Sequence, residues 1–379
     1  MRRSSPGGRP AVSLAQALAW RFERHFLRGG AGSAAEVVRR LSAVPAVSGD
    51  ADLAIRSRLA DPVAGAVAAA LASGELISTY AFRGATHLLA AEDASAFMAV
   101  RGASAQWARP SWQRYYDLGP DDWTALLETA RAVVADGPVA RSDFLEAITV
   151  QPRFEHLREA LWDRSHTLLK PLAWQGAICF GPTIDGQSSY ASPASSPRWQ
   201  GLPDVDAAGR RAVRLYLAGY GPATKDHLSY WLVAGLSAGR RRLDRWIDDL
   251  AGEIAEVSVD GRPALHLREH VEALGRVEVA PEELALLPGY DQWVLGPGTA
   301  DDHVVPAEHR PAITRGANLL LRGGRVAGTW RIGPDGLGVS WFPREARGAP
   351  ADLEAAGRRL LGLLGREPTT PITELPGTG

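Results

Sequence analysis

The sequence is short of lysine, cysteine and net charge. Only Lys170 and Lys225 among its 42 basic residues are Lys, and the rest are Arg. That bias accompanies abundant Ala and Gly, as in a GC-rich genome, yet the planar Arg fork suits phosphate better than an ammonium does. A lone Cys179 excludes an internal disulfide and a thiolate metal site, and it fits a reducing cytosol. The formal net charge is −1, so no global field argues for nucleic acid. No run approaches the roughly 18–20 apolar residues of a membrane helix. The start, MRRSSPGGRPAVSLAQALAW, lacks the uninterrupted apolar core of a signal peptide. Neither His-Glu-x-x-His nor a phosphate-binding glycine loop occurs. The expectation is a cytoplasmic protein with no metal, no cofactor and no membrane contact.

What is present is a repeat. DGPVARSDFLEAI (136–148) and YGPATKDHLSYWL (220–232) share Gly-Pro, small residues, a basic residue and an apolar helical pattern. Pro ends one helix, and a residue such as Thr224 caps the next. A long helical pattern, RFEHLREALWDRSHTLLKPLAWQ, follows the first copy, and SAGRRRLDRWIDDLAG follows the second. Each then runs into a short β-rich stretch with Asp-Gly at its turn, a strong hairpin signal. Nearer the N-terminus, helical pattern over 13–27, 34–43 and 51–73 precedes two strand-like runs around Arg83-Gly84. Helices followed by a two-stranded ribbon describe a winged helix-turn-helix.

The predicted fold is therefore α+β: three tandem winged helix-turn-helix units at 11–115, 118–200 and 203–275. A β-rich subdomain with a closing helix covers 276–366. Pro, Gly and Ser/Thr-rich tails at 1–10 and 367–379 are expected to be disordered.

Candidate contacts follow from this fold. Arg240, Arg241 and Arg242 open a helix and form the densest basic patch, read either as a solvated face or as phosphate contacts. Arg83 stands at the edge of the first wing, and Arg315, Arg322 and Arg325 flank a hairpin. His87 sits among apolar residues on a wing strand, as a packed histidine or a group near DNA. Asp291, between Tyr290 and Gln292-Trp293, is expected to satisfy backbone donors at a turn. GLSAG (235–239) matches a nucleophile elbow, but helix precedes it where that motif needs a strand.

FRGATHLLAAED (82–93), GPATKDHLSYW, LLPGYDQWVLG (286–296) and LLRGGRVAGTW (320–330) occur in an order and spacing that resembles a bacterial winged-helix family. That family includes AlkZ-like and YcaQ-like DNA glycosylases, and the resemblance spans roughly 12–365. It implies three winged helices in a C-shape, duplex DNA, including alkylated DNA, in the concave face, and hydrolysis of the N-glycosidic bond of alkylated purines. Active members carry Gln–apolar–Gln or Gln–apolar–Asp about a dozen residues before an Arg-rich helix segment, here IRSRL. Counted without a gap, those positions fall on Val44 and Ala46; with one residue deleted, on Pro45 and Val47. Neither supplies an amide or carboxylate. An N7- or N3-alkylated purine is already a good leaving group, so what remains is to hold a water and stabilise oxocarbenium charge. Val and Pro do neither. Ser48, Asp50 and Asp52 lie nearby, and Asp50 or Asp52 offers a substitute acid; the plainer role of Asp50 or Ser48 is to cap the helix from Ala51. Three readings stay open: a DNA binder without base excision, a divergent glycosylase, and a scaffold without DNA affinity.

Overall fold

The computed structural model describes residues 9–235, 237–343 and 348–376. The protein is mixed α+β with several sheets. It divides into two compact units, each assembled from separate stretches of chain: Met1–Ala66, Arg214–Trp231 and Ile247–Gly379 in the first, Val67–Val213 and Leu232–Trp246 in the second.

In the first unit, the helix Leu14–Arg24 begins at a reciprocal cap. The Ser13 hydroxyl accepts from the Gln16 amide at 3.1 Å, and the Gln16 side chain accepts from the Ser13 amide at 3.0 Å. Leu18 and Phe22 of this helix are buried with Trp293, Val304 and Leu319. Strands Ile254–Val259 and Arg262–Leu267 pair antiparallel, and Ala11–Val12 adds in parallel to the first of them. Their turn is the expected Asp-Gly: Asp260 and Gly261 have φ of 44° and 83°, the positive pair that a tight hairpin needs.

A five-stranded sheet completes this unit, ordered Leu284–Leu287, Asn318–Arg322, Arg325–Gly333, Gly336–Trp341, Ile372–Glu374. The first four strands are antiparallel and the last is parallel. The helix Pro350–Leu363 lays Leu353, Leu360 and Leu361 against Leu286, Leu320 and Trp341. The strand at 372–374 lies where composition predicts a disordered tail. Its apolar Ile372 and the following Leu375, whose amide donates to Val339, dock on the sheet edge. At the other end, residues 1–8 of the expected tail lie outside the described residues, while Pro10 accepts from the Ser258 amide at 2.8 Å.

In the second unit, strands Thr86–Ala90, Leu76–Tyr80, Cys179–Phe180, Ser189–Ala191 and Val139–Ala140 lie side by side in that order. Helices Pro120–Val133 and Arg141–Thr149 pack Leu126, Ala130, Phe144 and Ile148 into its core. Two expected helices are interrupted. The pattern over 51–73 gives Ala51–Arg56 and Ala66–Ala72, broken around Pro62, which has no amide hydrogen to continue a helix. The pattern over 153–175 gives Arg158–Trp162 and Leu169–Trp174. Between them His166 takes φ of 54°, and the Asp163 carboxylate accepts from the Ser165 amide at 2.5 Å.

Candidate nucleic-acid interface

The segment that raises the catalytic question is short and apolar. After the helix Ala34–Arg40, Ser42 turns the chain with φ of 64°, and Val44–Pro45 run as a two-residue strand. Val44 and Pro45 are buried and Ala46 is half-buried, whereas Val47 is 79% exposed. From Ala43 to Val47 no side chain can accept from or donate to a water. Asp50 is committed locally: its Oδ1 accepts from the Leu53 amide at 2.8 Å and caps the helix Ala51–Arg56. Such a cap contributes about 1 kcal/mol. Asp50 also borders a depression of about 270 Å³ shared with Tyr290, Asn318 and Trp330. The loop sits tightly there. Gly49 has φ of 82°, and a Cβ on it would lie 2.3 Å from the Gly289 carbonyl oxygen.

A buried polar group anchors this region. Arg58 donates to both carboxylate oxygens of Asp291, at 2.9 and 2.8 Å, and both side chains are fully buried. Arg58 also donates to the Ala54 carbonyl at 2.6 Å, while Asp291 accepts from the Trp293 amide at 2.7 Å and caps Gln292–Leu295. The expected backbone role of Asp291 is present, but its larger partner is a guanidinium. The Tyr220 hydroxyl donates to the Leu41 carbonyl at 2.8 Å and so holds the start of the apolar segment. His25 is fully buried, edge-on to Tyr220 and Trp293 at 4.9 and 5.4 Å. Burial, aided by Arg58, Arg21 and Arg40, pushes its pKa well down, so the ring is neutral.

The second unit carries a cluster of cations. A Cβ on Gly84 would lie 3.6 Å from Lys170 and 3.8 Å from Arg101, so the Arg83-Gly84 turn, Lys170 and Arg101 crowd together. Burial and neighbouring Arg101 lower the pKa of Lys170; burial and neighbouring Arg83 lower that of Arg101. Arg101 lies over Trp174 at 4.9 Å, and the Lys170 ammonium over Tyr80 at 5.9 Å. Tyr80 also bonds His166 Nδ1 at 2.5 Å. Arg141 stacks on Trp162 at 5.6 Å and donates to its carbonyl at 3.4 Å, and Arg101 donates to the Ala234 carbonyl at 3.2 Å. Among the described residues no ion pair joins Arg101, Lys170 or Arg141 to a carboxylate. Arg101, Lys170 and Arg141, half-buried and without a paired carboxylate among the described residues, suit a polyanion.

The family model described as DNA glycosylase AlkZ-like matches residues 38–363. The chain belongs to the AlkZ-like DNA glycosylase family. The interstrand DNA cross-link repair glycosylase of Streptomyces sahachiroi is 35% identical over 345 residues, covering 89% of this chain and 92% of that one. The solved structure of Streptomyces sahachiroi DNA glycosylase AlkZ superposes with a TM-score of 0.90 at 31% identity, covering 96% of this chain and all of that one.

In this AlkZ-like chain the sequence-predicted contacts scatter. Arg83 is exposed at its turn with φ of 53°, beside Arg101. Arg240 and Arg241 are exposed on the helix Arg240–Asp249, but Arg242 donates to the Ala103 carbonyl at 3.0 Å. Arg315 is exposed. Arg322 is taken up by Glu282, with its Nε 3.0 Å from the carboxylate, and Arg325 by the His303 carbonyl at 3.0 Å. His87 is 2% exposed, with Nδ1 2.9 Å from the Ala85 carbonyl and its pKa lowered by burial to about 4. That is a neutral ring holding a turn. Ser237 of the elbow-like GLSAG donates to the Val100 and Leu232 carbonyls at 3.0 and 3.2 Å, a structural use. Among the described residues no group of three His, Cys, Asp or Glu side chains is placed to hold a metal.

Three residues of the basic cluster escaped sequence reasoning: Arg101, Lys170 and Arg141. One signal was available for Lys170, as one of two lysines in an Arg-rich chain.

Proposed function

We propose that this chain binds duplex DNA, including alkylated DNA, and that it excises bases weakly or not at all. The observation that carries the reading is the run from Ala43 to Val47, which offers no side-chain amide, carboxylate or hydroxyl where the family resemblance places a Gln pair. Losing one preorganised polar group raises a barrier by about 2.7–4 kcal/mol, roughly 100- to 1,000-fold in rate. In this reading the helix–helix–hairpin segments at 11–115, 118–200 and 203–275 act as three winged helices, and the protein works in the cytoplasm. Kinship with an interstrand DNA cross-link repair glycosylase supports damaged DNA, cross-linked DNA included, as the feature sought.

The cluster of Arg83, Arg101, Lys170 and Arg141 supports phosphate contact by the second unit. Arg240 and Arg241 are further candidates. A gel-shift series with plain and methylated duplexes tests the binding half. Retardation that weakens steeply with salt is expected, because each phosphate contact releases counterions. No retardation at low salt and micromolar protein contradicts it and leaves a scaffold.

A further inference from the structure

The first unit holds a pocket of about 330 Å³ that the DNA reading does not use. Its size is at the low end for small-molecule sites. Leu14, Leu18 and Arg21 come to it from the first helix, His227 from the helix capped by Thr224, and Asp301 and Asp302 from the loop before Val304.

Arg21 is the unusual wall. It is 5% exposed, and among the described residues its Nη2 has one long contact, 3.5 Å to the Tyr220 carbonyl. Its Nε and Nη1 have no acceptor there, and no carboxylate pairs with it. A buried guanidinium without a counter-charge is costly, and an incoming anion relieves the cost. The anion cannot be highly charged, because carboxylates share the pocket. The Asp301 side chain, 6% exposed, stands 3.6 Å from His227 Nε2 and 4.0 Å from His303 Nδ1. Asp302, 65% exposed, lies 3.5 Å from Arg262 at the rim. A phosphate dianion meets repulsion from these acids, and a plain amine leaves Arg21 unmatched. A molecule bearing one carboxylate and one ammonium matches both. Leu14, Leu18 and Val304 offer apolar surface for its body.

We propose that this pocket binds a small zwitterion, an α-amino acid with an apolar side chain, carboxylate towards Arg21 and ammonium towards Asp301 and Asp302. Calorimetric titration of the full chain with four probes tests this without DNA, so it stands apart from the DNA reading. The probes are L-leucine, isocaproate (leucine without its amine), isoamylamine (leucine without its carboxylate) and inorganic phosphate. Leucine is expected to bind about tenfold more tightly than either truncated probe. Asp302→Asn should weaken leucine and leave isocaproate unchanged, and Arg21→Gln should abolish leucine binding. Should Arg21→Gln fail to fold, Ala300→Trp, at an exposed position on the pocket wall, should block the site in a folded protein. No heat from leucine at tens of millimolar, isocaproate or isoamylamine equal to leucine, phosphate tighter than leucine, or leucine binding unaltered by Ala300→Trp overturns the proposal.

Discussion

Arg58 and Asp291 meet as a fully buried, two-pronged ion pair, 233 residues apart in sequence. The pair ties the IRSRL helix segment to the PGYDQW turn, against which Gly49 also packs. Removing one partner strands the other charge in the core. Asp291→Asn is expected to cost about 3–5 kcal/mol in urea unfolding, and the double change Arg58→Met with Asp291→Leu about 2 kcal/mol less. An Asn variant within about 1 kcal/mol of the parent contradicts this role for the pair.

Stability should fall on acidification below pH 6.5. Burial lowers the pKa of His87 to about 4 and, with His270 and Arg24, that of His266 to about 3. The ordinary value is about 6.5. The unfolded chain therefore takes up protons that the folded chain refuses, and stability present above pH 6.5 is lost as pH falls towards the folded values. Each ring contributes on the order of 3 kcal/mol by pH 4. His87→Leu should flatten the decline in unfolding free energy between pH 6.5 and 4; an unchanged slope removes His87 from the account.

The basic residues of the two units should behave differently on DNA. Arg83→Ala combined with Lys170→Ala is expected to reduce the slope of log affinity against log salt by about two. Arg322→Ala should leave it unchanged, since Glu282 already neutralises that side chain. Equal effects of the two variants contradict the placement of phosphate contacts in the second unit.

Local chemistry made much of the fold legible. The Asp260-Gly261 hairpin and the caps at Thr224 and Asp50 are written in neighbouring residues, and each forms as expected. The break at His166 was hidden, because its helical periodicity continues on both sides and an Asp163 turn overrides it. The edge strand at Ile372–Glu374 depends on a partner strand some 35 residues earlier, which composition cannot show. The site was less legible for the same reason. Arg322 and Arg242 look free in sequence, yet distant acceptors occupy them. Lys170 and Arg101 are brought together only by the fold.

The apolar run at 43–47, readable from the sequence, carries the functional argument, and Asp50 is the acid nearest to it, while Asp52 is already paired with Arg56 at 3.1 Å. Asp50→Ala should lower stability by about 1 kcal/mol, as loss of a helix cap does. It should leave any slow base release unchanged. Loss of base release with unchanged urea stability makes Asp50 a catalytic group instead.

The most direct measurement is release of N7- and N3-methylpurines from methylated duplex over hours, for the parent chain, the Pro45→Gln/Val47→Gln variant and a protein-free control. Little release above the control is expected from the parent, with a gain in the Gln variant, whose amides can hold a water. Excision by the parent over many turnovers, with no gain from the added Gln residues, contradicts the claim that the apolar run has silenced base excision.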